Sequence, residues 1–427
     1  LGKASQEFQN YLLSAQGWVN PDADEFIDPQ ARKGKIDHST AGAQVIYGRL
    51  WDKGPEGRIA AQVLALYIAS HHSGLVDCLA PDGENNFERR MKKPDGDTHK
   101  AEALSDFREI RTALDSLPWN EASEQIVAKL KSLVEENGDS RETAAFKHGL
   151  LARFLLSCLL DADRLDTADF ERPGNSRLRN YGQYHPWDDL IQRLNVRLNE
   201  FEKKPERNSV DELRKQVSEA CLAFAARPKG IYHLTVPTGG GKTLASLRFA
   251  LQQAKNHSMA RIFCIVPYTS IIDQNAEEAR EILEDRDEKG QYLDRVVLEH
   301  HSNLTPEEET HRHNLAAENW DAPVVFTTQV QFLEALFGSG TRSARRMHQL
   351  ANSVIILDEV QTIPISCVHM LNMALRFLVR GCGSTVVLCT ATQPPLDQLD
   401  AAYRALTISS QDRIIADEKS LFARLRR

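Results

Sequence analysis

The chain has 427 residues, with Lys+Arg 52 against Asp+Glu 60, a net charge of -8 and a pI near 6.0. At about 150 residues per domain this length holds two or three domains, enough to bury cores without a disulfide or structural metal. The acidic balance excludes a protein that coats nucleic acid by bulk charge, though not one with a local basic groove. No stretch approaches the roughly 20 continuous apolar residues of a membrane helix and no charged-then-apolar leader is visible, so no membrane partner is expected. Cys78, Cys158, Cys221, Cys264, Cys367, Cys382 and Cys389 form no C-x-x-C pair and sit mostly in apolar runs. That predicts buried, reduced thiols in a cytoplasmic protein.

The first half reads as helical. Residues 58–73 lack Gly and Pro and stop at Gly74. Residues 122–136 space Ile126, Leu130, Leu133 and Val134 as a helix face. Residues 148–165 are apolar nearly all round, which predicts a helix buried at the centre of its domain. The stretch 171–189, rich in Gly, Pro and polar residues, reads as a linker or surface crossing. Near residue 230 the pattern changes to short β-branched runs, "IYHLTVP", "RIFCIVP", "PVVFTT", "SVIILDE" and "STVVLCTAT", separated by helical stretches such as 242–256 and 270–284. Continuous apolar strands alternating with helices predict an α/β domain with a mainly parallel sheet covered on both faces. The expected division is 1–200 for an all-α domain and 201–427 for the α/β domain.

The strongest motif is "VPTGGGKT", Val236 to Thr243, directly after a strand and opening a helix. Gly239, Gly240 and Gly241 let the backbone of Thr238–Thr243 curl with its N–H groups inward, an anion cradle at a helix N-terminus. Lys242 can reach the β- and γ-phosphates of ATP, and the Thr243 hydroxyl can hold Mg²⁺. The first glycine of the usual loop pattern is replaced by Val236, a departure that the helicase variant tolerates. "VIILDEVQ" places Asp358 and Glu359 at a strand end, where ligands of open α/β sheets bind. Asp358 there suits the Mg²⁺ shell, and Glu359 suits orienting and deprotonating the attacking water. The spacing from Lys242 to Asp358 predicts that their strands are adjacent. Gln216, upstream of the first strand, is a candidate for adenine contact.

Three further segments resemble superfamily 2 helicase motifs, in the order that family uses. Pro267 and Thr269 in "IVPYTSIIDQ" fall where such proteins touch a nucleic-acid backbone, and "FTTQVQFLEALF" places Thr327 and Thr328, candidates for nucleic-acid contact or coupling, with Gln329 at another strand end. Thr390 and Thr392 in "CTATQPP" fall where they couple ATP hydrolysis to strand movement. Taken singly, a Thr after a strand is more often a turn residue or helix cap.

The first half also holds His38, the pair His71-His72 and the aspartates of "LLDADRLDT". Neutral imidazole with carboxylate and no thiolate suits a divalent transition metal such as Mn, Fe, Co or Ni better than structural zinc. Two such ions could clamp the attacking and leaving oxygens of a phosphodiester. Ser39 reads as a helix cap beside His38. Asp161 and Asp163 lie about 200° apart on a helix, so one of them faces the site. Asp163 shares a face with Leu156, Leu159 and Leu160, which predicts the deeper burial and makes it the preferred ligand over Asp161. A His-His pair at a helix end is, by itself, more often a cap or surface feature.

Together "DHSTAGA", "SHHSG", "LLDADRLDT" and a motor carrying "DEVQ" resemble the helicase–nucleases of type I CRISPR systems, over essentially the whole chain. The resemblance implies an HD-type nuclease followed by RecA-like motor lobes. It further implies metal-dependent cleavage of single-stranded DNA, ATP-driven translocation, recruitment by a crRNA-guided surveillance complex at an R-loop, and an inhibitor protein as a possible partner. In that family a His-Asp pair precedes a "Gly-Lys" segment like the opening "LGK", and a second RecA-like lobe follows a segment like "LFARLRR". The expectation is therefore a fragment, with negligible ATPase of its own. Two other readings remain at this stage: a translocase whose helical domain is only structural, and a DNA or protein docking module without turnover.

Overall fold

A computed structural model describes residues 2–32, 37, 39–106, 108–134, 139–301, 311–391, 406 and 409–425. The chain forms two compact units, Leu1–Leu160 with Ser339–Ala344, and Asp161–Gly338 with Arg345–Arg427.

The first unit is all-α. Helix α1 spans Gln6–Ala15, α2 Ser39–Trp51, α3 Gly54–Ser70 and α4 Trp119–Leu133, with short helices between Asn86 and Ser116. Asp37, not Ser39, caps α2: its Oδ1 accepts the Thr40 N–H at 3.0 Å and Ser39 is already helical. Helices α2 and α3 pack closely because alanines line their shared face, with Ala43, Ala60, Ala61, Ala65 and Ala69 all fully buried. Beyond α3 the chain turns at Gly74, whose φ of +83° and approach to Gly340 leave no room for a Cβ. Helix α5 is longer than its sequence pattern suggests, Arg141–Glu171, and its apolar length and composition would also suit a membrane span. Half of its most apolar window is buried inside the fold, as a core helix of a globular protein would be. It is not buried all round: Cys158 and Ala162 face outward. Its early turns instead bury Lys147, which pairs with Asp139 at 2.7 Å, both side chains almost inaccessible.

The second unit is α/β. Helices α6 (Trp187–Glu202) and α7 (Ser209–Phe224) precede β1 (Ile231–Thr235) and α8 (Lys242–Asn256). Then follow β2 (Arg261–Val266), α9 (Thr269–Leu283), β3 (Val297–His300), α10 (His311–Asn319), β4 (Val324–Thr328) and α11 (Gln329–Phe337). Strand β5 (Ser353–Leu357), α12 (Ile365–Arg376) and β6 (Thr385–Thr390) complete the sheet, and α13 (Glu418–Leu425) follows. The six strands form one sheet in the order β1-β6-β5-β2-β4-β3, every pair parallel. Every residue of β2, β4, β5 and β6 is buried, as strands covered on both faces require.

The first division between the compact units falls after Leu160. Helix α6 joins the α/β unit because Leu190 and Leu194 enter its core and the Trp187 indole donates to Met259 O at 2.9 Å. Strands β1 and β5 are not neighbours, since β6 lies between them. The 171–189 stretch crosses the surface, and Asp321 fixes it, accepting the backbone N–H groups of Asn180, Tyr181 and Gly182 at 2.8–3.1 Å and the Tyr184 hydroxyl at 2.7 Å. Cys221, Cys264 and Cys389 are buried as expected, whereas Cys78 and Cys158 are exposed.

Candidate functional site

The glycine loop joins β1 to α8. Gly239 and Gly241 take φ of +84° and +79°, left-handed values that glycine adopts without strain. At Gly241 a Cβ would also meet the Arg214 side chain at 3.1 Å. Arg214 braces the loop from α7, its Nε donating to Gly239 O at 2.9 Å. The loop floors a cleft of about 520 Å³ that α6, α7 and Asp358–Glu359 wall in. Arg207, Arg214, Lys215 and Arg248 line it. Glu202, Asp211, Glu278, Asp358 and Glu359 line it too, so its charge is mixed, and the glycine loop at the helix N-terminus is the part that suits an anion. Gln216 does not line it; its Oε1 accepts from Arg424 at 3.1 Å. The residue of α7 that touches the loop is Arg214, two positions earlier, and an arginine among the charged residues of a surface helix gives no sequence signal.

Lys242 closes the site. Its Nζ lies 2.7 Å from Asp358 Oδ1 and also bonds Glu359 Oε1. Burial opposes the lysine's charge, but the two carboxylates outweigh it and raise its pKa. Burial likewise pushes Glu359 up, yet the hydrogen bonds from Lys242 and Gln361 prevail and hold it below its usual value. Asp358 is the more deeply buried of the two carboxylates, and burial raises its pKa despite Lys242. Although β6 separates their strands, the lysine's long stem carries its ammonium to both acids. The donor types and the cradle fit ATP with Mg²⁺.

The motif residues around this core take more particular roles than their order implied. Thr390 Oγ1 donates to Gln361 Oε1 at 2.7 Å, and Gln361 Nε2 donates to Glu359 Oε2 at 2.5 Å, so the end of β6 is linked to the glutamate. Thr328 is the N-cap of α11, accepting the Gln331 N–H at 3.2 Å, and Thr327 donates to His300 O at 2.9 Å. Thr269 opens α9, with Pro267 just beyond β2. Thr392 lies outside the described residues.

Of the residues read as metal ligands, His38 also lies outside the described residues. His71 ends α3, its Nδ1 2.6 Å from Ile68 O. A ring nitrogen donating to a carbonyl is the arrangement that orients the other nitrogen of a metal-binding histidine. The His72 ring sits 3.9 Å from that of His71, centroid to centroid. The expected burial of the aspartates is reversed. Asp161 is 6% exposed and Asp163 is half-buried. Asp161 faces Arg345 Nε at 2.7 Å, Asn319 Nδ2 at 3.0 Å and His348 Nε2 at 3.4 Å. Burial raises its pKa, but those three partners overcome it and lower the value. Its stabilising cation is thus an arginine of the protein. A further donor set, unforeseen from sequence, joins Asp273, Glu299 and His301 within 4.8 Å of one another. The Arg280 guanidinium, 2.8 Å from Glu299 Oε2, already balances part of its charge.

Comparison with known proteins places these geometries. Residues 215–399 match the DEAD/DEAH box helicase family. The chain is 28% identical over 232 residues to the CRISPR-associated nuclease/helicase Cas3 of Haloferax volcanii, covering 49% of this chain and 23% of the relative. In fold it is similar to crystal structures of T. fusca Cas3 with ATP (TM-score 0.52, 16% identity) and with AMPPNP (TM-score 0.50, 18% identity). Those matches cover 91% and 92% of this chain but 42% and 43% of the solved chains. The chain therefore spans less than half the length of these relatives. The chain is thus similar to CRISPR-associated nuclease/helicases, with an all-α region ahead of an α/β region that matches the DEAD/DEAH box helicase family.

Proposed function

We propose that the α/β unit binds ATP with Mg²⁺ and drives movement along single-stranded DNA, and that the all-α region contributes to metal-dependent cleavage of that strand. The observation that carries the motor reading is Lys242 poised between the glycine loop and the Asp358–Glu359 pair. In this reading Lys242 leaves the two acids for the β- and γ-phosphates, while the N–H groups of Thr238–Thr243 receive phosphate oxygens. Thr243 and Asp358 hold Mg²⁺, which when bound neutralises phosphate charge. Glu359, still hydrogen-bonded by Gln361 once the lysine has moved, takes the proton of the attacking water. Pro267, Thr269, Thr327 and Thr328 are the proposed contacts to the DNA backbone. Thr390, hydrogen-bonded through Gln361 to Glu359, supports a link between hydrolysis and strand movement.

For cleavage, His38, His71, His72 and Asp163 are the proposed ligands of a divalent transition metal such as Mn, Fe, Co or Ni. The orientation of His71 by Ile68 O supports its role, and the occupation of Asp161 by Arg345 favours Asp163 over it. Recruitment by a crRNA-guided complex at an R-loop is part of the same proposal and rests on the family resemblance. Chelator-sensitive cleavage of single-stranded DNA is expected, lost in His71→Ala and retained in Lys242→Ala. Cleavage that survives His71→Ala would leave the helical region a structural element beside a translocase.

A further inference from the structure

We infer that Gln329 is a positioning residue for the Mg²⁺-nucleotide site, an inference that rests on the ATP reading above. Glu359 adopts φ 47° and ψ 50°, a left-handed conformation that a residue with a Cβ rarely takes. Such a backbone persists only where its surroundings over-determine it. Gln329 supplies that constraint. It is the first residue of α11 and is 7% exposed. Its Nε2 sits 3.1 Å from Asp358 O and 3.5 Å from Glu359 O, so one amide group grips both carbonyls of the acidic turn. Thr362 completes the brace, its hydroxyl 3.1 Å from Gln329 Oε1 and 2.7 Å from Glu359 O, with one proton to serve either acceptor.

The topology makes this a long-range strut. Strand β2 lies between β4, which leads into Gln329, and β5, which leads into Asp358. Asp358 N donates to Ile265 O of β2 at 2.8 Å, which pins the start of the turn. Gln329 reaches across the end of β2 and pins the rest. Among the described residues its side-chain hydrogen bonds go to the two main-chain carbonyls and Thr362, so it acts through the placement of the two carboxylates. The sequence puts Gln329 beside two threonines at a strand end, and nothing in that local context signals the contact with the acidic turn.

The test compares the full chain with Gln329→Met, which keeps the side chain's length and removes its donor. ATP affinity is measured by calorimetry with and without Mg²⁺, with Lys242→Ala as the control that loses ATP binding. The wild type is expected to bind ATP more tightly with Mg²⁺. Gln329→Met is expected to keep the Mg²⁺-free affinity within twofold and lose at least tenfold of the Mg²⁺-dependent gain. A merely structural role would weaken both affinities together. Equal behaviour of Gln329→Met and wild type, a parallel loss of both affinities, or a wild type with no Mg²⁺-dependent gain overturns the inference while leaving the ATP reading standing. A wild type that binds no ATP overturns both.

Discussion

At the residue scale, two glycines separate backbone demand from packing demand. Gly239 and Gly241 share a left-handed φ, but a Cβ at Gly239 meets open space whereas one at Gly241 meets Arg214. Gly239→Ala should therefore carry only backbone strain, about 1–3 kcal/mol. Gly241→Ala should in addition displace the arginine that braces the loop, and should lower ATP affinity further. Calorimetric titration of both variants checks that ranking. Lys242→Ala leaves a largely buried Asp358 without its cation, so its pKa, already raised by burial, should rise further. The loop, the lysine and the acidic pair are legible in sequence because each is a contiguous run whose chemistry is local. Arg214 and Gln329 are not, because their importance lies in which distant carbonyl they meet.

At the element scale, helix α5 shows where periodicity stops being informative. Its apolar run predicts a central helix, and the structure adds a buried Lys147–Asp139 pair near its start. Removing one partner of a buried pair leaves an uncompensated charge, so Lys147→Met should destabilise the first unit by about 3–5 kcal/mol. Urea unfolding followed by circular dichroism measures this. In the second unit, α6 is tied to the stretch after α9 through Asp285, which Arg193 and His185 each reach at 2.8 Å. Burial raises the Asp285 carboxyl, but these two hydrogen bonds prevail and hold it below its usual 3.8. A depressed carboxylate contributes stability that is present above its unfolded value and lost as pH falls below it. The urea midpoint of the second unit should therefore drop from pH 6 to pH 3 by more in the wild type than in Asp285→Asn. Strand β3 escaped the sequence reading because it is four residues long and carries Glu299 and His300, a pattern too short and polar to register.

At the scale of the whole molecule, the parallel sheet collects the glycine loop, the acidic pair and the threonine-bearing turns at the carboxyl ends of its strands, as open α/β sheets do. Ligand binding to this native arrangement should stabilise it by mass action, about 2.7 kcal/mol at a hundredfold excess over Kd. Mg²⁺-ATP is accordingly expected to raise the melting temperature of the chain and to leave that of Lys242→Ala unchanged, as scanning fluorimetry would show.

The sequence alone determined the class of each half, the run of parallel strands and the phosphate loop with its two acids, because apolar periodicity and short motifs are properties of neighbouring residues. Only the tertiary structure decided that β6 stands between β1 and β5. The same is true of Asp161, whose charge is answered by Arg345, and of Gln329, which grips the acidic turn. These contacts join residues 29 to 184 positions apart. Such pairings depend on how strands order and helices dock, and no local pattern along the chain encodes them.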